Sequence, residues 1–187
     1  MLEIEIKLRV SSLDAMKAQL ATLGFLAGER LFERNTVYDS PDQGLAGAGK
    51  LLRIRETGGG AILTVKLPAD SEGLHKIREE HNLDGPAPTL ERIVEGLGFE
   101  PAWRYEKYRT RYTKPGEPGV IELDETPIGN LLELEGPPEW IDATAAALGF
   151  AESDYVTATY RDLFVDWQSR QAEPPRDRAA RTCPCRA

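Results

Sequence analysis

The fold turns on the first ten residues, MLEIEIKLRV (1–10). Leu2, Ile4, Ile6, Leu8 and Val10 alternate with Glu3, Glu5, Lys7 and Arg9. Period two is the signature of a strand whose faces differ in character. One face is apolar and the other fully charged, and what the charged face meets decides the architecture.

The same pattern recurs along the chain. Arg53 and Arg55 oppose Leu52 and Ile54 in LLRIRE. Thr64 and Lys66 share a face in AILTVKL, and Lys76, Arg78, Glu80 and Asn82 share one in HKIREEHNL. Lys107, Arg109 and Arg111 alternate in YEKYRTRY, Glu122 and Asp124 in VIELDE, Glu133 and Glu135 in LLELEG. A single strand of this kind is usually the solvated face of an antiparallel sheet. The set as a whole fits that reading poorly, because its charges are segregated by sign. Like charges two apart repel unless an opposite charge lies between them. Basic pairs at Arg53/Arg55 and Lys107/Arg109 suit a polyanion. Acidic pairs at Glu3/Glu5, Glu122/Asp124 and Glu133/Glu135 suit hard divalent cations such as Mg²⁺ or Mn²⁺.

Strands are predicted near 2–10, 30–39, 50–57, 61–68, 74–84, 103–113, 118–125 and 130–136. Eight antiparallel strands can close into a barrel wide enough for one small ligand. Three helices are predicted from amphipathic runs ending in Leu23-Gly24-Phe25, Leu97-Gly98-Phe99 and Leu148-Gly149-Phe150, each glycine a left-handed cap. Ser11 or Ser12, Thr89 and the Pro138 turn are the expected starts. The helices need apolar surface, which the outer strand faces supply, leaving the charged faces to line a wet interior. The fold class is therefore α+β: a closed eight-stranded antiparallel tunnel with helices packed outside. Residues 1–167 make the tunnel domain, with a short helical segment near 153–166, and 168–187 read as a disordered basic tail.

Composition is that of a soluble globular chain, 187 residues with 41% hydrophobic and 29% charged. No apolar run approaches membrane-spanning length and no signal-peptide pattern opens the chain, so a cytoplasmic location and no membrane partner are expected. Cys183 and Cys185 sit in the tail, so no core disulfide is expected. The tail carries five Arg against Glu173 and Asp177, so the −8 of the whole chain becomes −11 over residues 1–167. That charge argues against a nucleic-acid partner. A homodimer is the one protein assembly the sequence leaves open.

EIEIK at 3–7 resembles the Glu-x-Glu-x-Lys signature of the CYTH superfamily, the triphosphate tunnel metalloenzymes. LRIR (52–55), TVK (64–66), REE (78–80), EKYR (106–109), IELDETPIG (121–129) and LELEG (132–136) follow in the family's order. The resemblance spans roughly residues 1–165. It implies a tunnel in which a small-molecule triphosphate is gripped by Lys7, Arg53, Arg55, Lys66, Arg78, Lys107 and Arg109. Glu3, Glu5, Glu80, Glu122, Asp124, Glu133 and Glu135 would be the metal-side acids, Glu133 and Glu135 foremost. Hydrolytic relatives use a tyrosine–lysine pair near the attacking water; Lys107 matches the lysine and Tyr38 is the expected partner. Asn82 departs from the family's Arg-x-Glu-x-Glu pattern. His75 and His81 fall on the opposite face and are expected outside the site.

The resemblance leaves the reaction open. Hydrolysis of inorganic triphosphate, or of a small organic one such as thiamine triphosphate, is the first expectation. A class IV adenylyl cyclase, making cyclic AMP and pyrophosphate from ATP, comes second. A polyphosphate- or nucleotide-binding module without turnover is third.

Overall fold

The computed structural model describes residues 2–69 and 73–172, with side chains through Arg170. Its strands are β1 (Leu2–Val10), β2 (Leu26–Asp39), β3 (Leu51–Thr57), β4 (Gly60–Lys66), β5 (Lys76–Gly85), β6 (Glu100–Thr113), β7 (Val120–Thr126) and β8 (Gly129–Glu135). The helices are α1 (Leu13–Thr22), α2 (Gly44–Gly47), α3 (Ala87–Gly96), α4 (Pro138–Ala147) and α5 (Tyr160–Ala172). The strands close into a barrel in the order β1-β5-β4-β3-β2-β6-β7-β8, and every pairing is antiparallel. The expected fold class is borne out.

Apolar side chains cluster on the outside of this barrel. Ile6, Leu8, Ile121, Leu123, Leu132 and Leu134 meet Met16 and Leu20 of α1 and Trp140, Ile141 and Ala145 of α4. A second cluster joins Tyr38, Leu52 and Ile54 to Leu90 and Val94 of α3. α1 and α4 thus share the cover of one apolar patch of sheet and α3 covers the other, each stabilising it by removing that surface from water. The outer surface of the long β2–β6 ribbon is different. There Phe32 and Tyr108 are exposed, and Arg34 pairs with Glu106 at 3.4 Å.

The three Leu-Gly-Phe endings work as the sequence predicts. Gly24, Gly98 and Gly149 have φ of 83°, 89° and 83°. The following Phe25, Phe99 and Phe150 amides return to Leu20, Val94 and Ala145 carbonyls at 3.0, 3.3 and 3.0 Å. Ser12 is the α1 cap, its Oγ accepting from the Ala15 amide at 3.3 Å. α3 begins earlier than expected: Pro86 stands at the cap and Thr89 lies inside the first turn. β2 and β6 begin earlier too, at Leu26 and Glu100. The C-terminal helix also differs from expectation. Residues 152–154 form a single 3₁₀ turn, and α5 runs through Ala172, so the first five residues assigned to the tail are helical. The rest of that tail, with Cys183 and Cys185, lies outside the described residues. Residues 1–157 form one compact unit, and the segment from Ala158 belongs to another.

Trp140 lies over two backbone glycines. A Cβ on Gly119 would collide with the indole and stand 2.7 Å from the Glu135 carbonyl oxygen. A Cβ on Gly136 would stand 2.9 Å from the same ring. The indole Nε1 donates to Glu117 Oε2 at 2.7 Å, which fixes the ring there. Gly119→Ala is therefore expected to cost about 1–3 kcal/mol through overpacking. Urea unfolding would show this as a lower midpoint with the slope preserved. An unchanged midpoint would mean that the ring can slide away.

Candidate functional site

Strand alternation, with outer faces committed to helices, leaves the other side chains inside the barrel. Register places Glu3 opposite Arg78, Lys7 opposite Glu133, Glu122 opposite Glu133, and Arg109 opposite Asp124. Glu33 lies opposite Lys107, and Asn35 lies between Arg55 and Tyr105. The interior is thus a lattice of opposed charges. Burying them is costly unless each is paired.

Most are paired. Arg109 grips Asp124 through both carboxylate oxygens, Nε to Oδ1 at 2.6 Å and Nη2 to Oδ2 at 2.5 Å. It also donates to Glu133 Oε2 at 2.5 Å and contacts Glu122. Lys107 donates to Asp124 at 2.8 Å. Lys7 donates to Glu5 at 2.9 Å and stands 3.5 Å from Glu133. Lys66 bridges Glu3 and Glu80, each at 2.6 Å. Arg78 reaches Glu3 at 3.3 Å, and Lys76 reaches Glu5 at 3.4 Å. Arg55 is 3.3 Å from Glu33 and donates to Asn35 Oδ1 at 3.1 Å.

These contacts set the protonation states. Burial pushes Glu5 upward, but Lys7, Lys66 and Lys76 together outweigh it and the carboxyl is held at about 2. At Glu80, burial is likewise overcome by Lys66 and by hydrogen bonds from Lys66 and Asn82, giving about 2. Asp124 and Glu133 are raised by burial but brought below their ordinary range, Asp124 by Arg109 and Lys107, Glu133 by Arg109 and Lys7. Lys76 is lowered to about 8 by burial and by Lys7. Glu135 goes the other way. Burial, then Glu122 and Glu3, push it up to about 7.

That raised value predicts a pH effect. The folded state holds the Glu135 proton more tightly than the unfolded chain, so this group's contribution to stability is intact below about pH 4.5. It is lost as pH rises through about 7. Glu135→Gln is therefore expected to stabilise the metal-free protein at pH 8 by about 1–3 kcal/mol, discounted for partial exposure, and to leave it unchanged at pH 4. Thermal melts at the two pH values would check this, and an equal shift at both would refute it.

Among the described residues, no three acidic, histidine or cysteine side chains already converge as a metal cage. Basic side chains occupy most of the carboxylates instead. The donor chemistry still fits a hard divalent cation, because Glu135 is crowded by Glu122 and Glu3 and favours a positive charge there.

All seven expected cations and all seven expected acids lie on tunnel-facing strand positions. Tyr38 does not. It belongs to the opposite parity from Glu33, Asn35 and Val37, and its ring is 2% exposed among Leu52, Ile54, Leu90 and Val94 beneath α3. It is a packing residue and cannot face Lys107. The tunnel tyrosine is Tyr105, two residues before Lys107 on the same strand face. Burial would raise its hydroxyl pKa, but Arg53, Lys107 and Arg55 lower it. Its hydroxyl accepts from Arg53 Nη1 at 3.3 Å. Carrying the YEKYR alternation back two residues finds it. Glu33 and Asn35 carried no such signal, since Arg34 between them makes both faces of β2 read as polar.

Asn82 has a defined task. Its Oδ1 accepts from Thr64 at 2.6 Å and its Nδ2 donates to Glu80 at 2.8 Å, so it steadies an acid rather than adding one. His75 lies outside the tunnel as expected, with Nε2 2.9 Å from Asp142 Oδ1. His81 pairs at 3.0 Å with Glu79, and both are exposed.

Among the described residues, three buried polar atoms inside the barrel have no hydrogen-bond partner: the donors Arg53 Nε and Asn35 Nδ2, and the Glu33 oxygen Oε2, which has Arg55 Nε 3.3 Å away as an ion-pair partner. Unsatisfied buried donors beside a cationic wall favour an anion. A charged closed tunnel with spare donors is the arrangement that matches the CYTH domain, and the sequence matches that domain over residues 1–151. The chain belongs to the CYTH family. CYTH tunnel enzymes depend on divalent metal and act on triphosphates. A candidate adenylate cyclase of Methanocaldococcus jannaschii is 29% identical over 136 residues, covering 72% of this chain and 77% of the relative. The structure of a candidate adenylate cyclase from Vibrio parahaemolyticus superposes with a TM-score of 0.76 at 20% identity, covering 88% of this chain and 98% of that one. A Hippeastrum protein, described as a candidate adenylyl cyclase with a dominant triphosphatase activity, gives 0.66 at 22% identity, covering 92% and 98%. These two structures attest the CYTH fold. No helix among the described residues is long and apolar enough to cross a membrane.

Proposed function

We propose that this CYTH protein is a divalent-metal-dependent triphosphatase that hydrolyses inorganic triphosphate or a small organic triphosphate such as thiamine triphosphate. The observation that carries the reading is the pair of unsatisfied buried donors, Arg53 Nε and Asn35 Nδ2, set among cations inside the barrel. Those donors favour phosphate oxygens, and Lys7, Arg55, Lys66, Arg78, Lys107 and Arg109 surround the same interior. Phosphoryl transfer needs chiefly positioning and charge neutralisation, which such a wall supplies.

The chain's own groups divide the work. Arg53, Arg55 and Asn35 orient the phosphate chain. An entering triphosphate competes with carboxylates for Lys66, Lys7 and Arg109, and so would free Glu3, Glu5, Glu80, Glu122, Asp124 and Glu133 to join Glu135 in holding metal. Glu133 and Glu135 would be its foremost ligands. Bound Mg²⁺ or Mn²⁺ would neutralise phosphate charge and acidify a water. Lys107 and Tyr105, both inside the tunnel, would hydrogen-bond the attacking water or the departing oxygen.

A class IV adenylyl cyclase is the second reading, favoured by the name of the Methanocaldococcus relative. The triphosphatase activity described for the Hippeastrum protein favours the first. Product analysis separates them. With Mg²⁺ or Mn²⁺, orthophosphate from tripolyphosphate and no cyclic AMP from ATP is the expected result. Cyclic AMP with pyrophosphate would replace the first reading by the second. Tight binding without turnover would leave only a binding module.

A further inference from the structure

Glu33 is a tunnel acid with no place among the metal-side carboxylates. Those stand on β1, β5, β7 and β8, whereas Glu33 stands on β2, between β3 with Arg53 and Arg55 and β6 with Lys107. A carboxylate among those cations repels a phosphate chain, so gripping is not its task. Glu33 is 4% exposed, and its Oε2 meets no hydrogen-bond donor. Arg55 Nε stands 3.3 Å from that oxygen but aims its hydrogen at Asn35 Oδ1, 3.1 Å away. Lys107 Nζ is 3.8 Å from it and donates to Asp124 at 2.8 Å. Charge thus holds Glu33 in place, while one buried oxygen lacks a hydrogen bond. That costs free energy and needs a reason. Two residues along the same strand face, Asn35 Nδ2 is an unmet donor. An unmet acceptor next to an unmet donor suits a water molecule held beside a phosphate chain.

We propose that Glu33 is the general base of the hydrolysis, its Oε2 taking a proton from the water that attacks the terminal phosphorus. This deepens the proposed function and rests on it. The Lys107 ammonium has donors and no acceptor, so it can orient that water but cannot receive its proton. Asp124, a carboxylate that Lys107 also meets, is held through both oxygens by Arg109. Glu33 keeps an oxygen for the task. The water oxygen bonds the terminal phosphorus as the bond from that phosphorus to the bridging oxygen breaks. One water proton passes to Glu33, and the other stays on the orthophosphate. The bridging electron pair leaves with the pyrophosphate, and the Glu33 proton then passes to solvent.

The test measures tripolyphosphate turnover in Mg²⁺ and the dissociation constant of a methylene-bridged tripolyphosphate analogue. Glu33→Gln should lower kcat about 10²-fold, the lower end of the range for a positioned base, and leave the analogue's dissociation constant within about twofold. The pH profile gives a second readout. Above neutrality wild-type kcat should level off, whereas Glu33→Gln should keep rising as hydroxide replaces the lost base. Glu33→Asp keeps a carboxylate one carbon farther back. It should regain part of the lost kcat together with the wild-type plateau, and it carries the comparison if the Gln variant does not fold. Unchanged kcat in Glu33→Gln overturns the proposal. So does an equal loss of kcat and analogue affinity with an unaltered pH profile, which would make Glu33 a prop for Arg55 and Lys107. An Asp variant that keeps the rising profile would overturn it too. Wild-type turnover that survives Glu33→Gln sinks the base and spares the hydrolase. A wild type that binds the analogue but releases no orthophosphate sinks both.

Discussion

Replacing Arg109 with Met should cost about 3–5 kcal/mol of folding stability, the range for breaking a buried ion pair by removing one partner. Arg109 holds three carboxylates at once: Asp124 by two hydrogen bonds, Glu133 by one, and Glu122 by an ion pair. Asp124 is 0% exposed, so water cannot replace the lost guanidinium. Lys107 would stay 2.8 Å from Asp124 and Lys7 3.5 Å from Glu133, without the bidentate grip. The defect should also depend on pH. Arg109 holds Asp124 and Glu133 below their ordinary values of 3.8 and 4.5. Depressed carboxylates contribute stability above their unfolded pKa and lose it as pH falls through the folded value. In the variant those groups take up protons at higher pH, which relieves the buried charge. The gap between wild type and Arg109→Met should therefore be widest near pH 7–8 and narrow toward pH 4. Urea midpoints across that range would measure it. A gap independent of pH would mean that lost packing, not uncompensated charge, is the cause.

How much of this was legible in advance follows from how the alternation is written. β1, β3, β7 and β8 have one face of aliphatics and one of charges, because a helix or a neighbouring cluster covers the aliphatic side. There the tunnel residues could be read directly, down to Glu133 and Lys7. The β2–β6 ribbon has no such contrast. Its outer surface carries Arg30, Arg34 and Glu106, paired with Glu125 or with each other, so polar residues occur at both parities. Glu33 and Asn35 were hidden there for that reason. Tyr38 keeps the alternation of β2, one residue past Val37, and that parity puts it on the outer side that α3 covers. Pairing is the other thing sequence could not show. Segregated acids and bases suggested separate metal and phosphate faces. In the folded chain they interlock, and which carboxylate takes which cation depends on barrel register between strands far apart in sequence. Glu135 illustrates the limit: it looks like Glu133 two residues earlier, but it meets Glu122 and Glu3 where Glu133 meets Arg109.

Glu133→Gln is expected to lower turnover by about 10²–10³-fold while leaving the fold nearly intact, an effect the size of removing one preorganised electrostatic group from a transition state. The two consequences separate because of how Glu133 is held. Its Oε2 accepts from Arg109 at 2.5 Å, and a Gln amide oxygen can accept the same bond. Arg109 keeps Asp124 and Glu122, so no buried cation is stranded. Lys7 keeps Glu5 at 2.9 Å. Stability should therefore change by about 1 kcal/mol or less, within the range of a single hydrogen bond. The loss in function is larger because the proposed role needs the anion itself. A neutral amide brings one weak oxygen donor to a divalent cation and none of the charge that draws it into a tunnel already crowded with lysine and arginine. The metal concentration for half-maximal activity should rise along with the fall in kcat. Steady-state kinetics against Mg²⁺ and Mn²⁺, with urea midpoints on the same preparations, would measure both. Unaltered kcat at saturating metal would remove Glu133 from the metal-side acids. A loss of activity matched by a loss of several kcal/mol in stability would make it a structural ion-pair partner, leaving Glu135 and Glu122 to hold the metal.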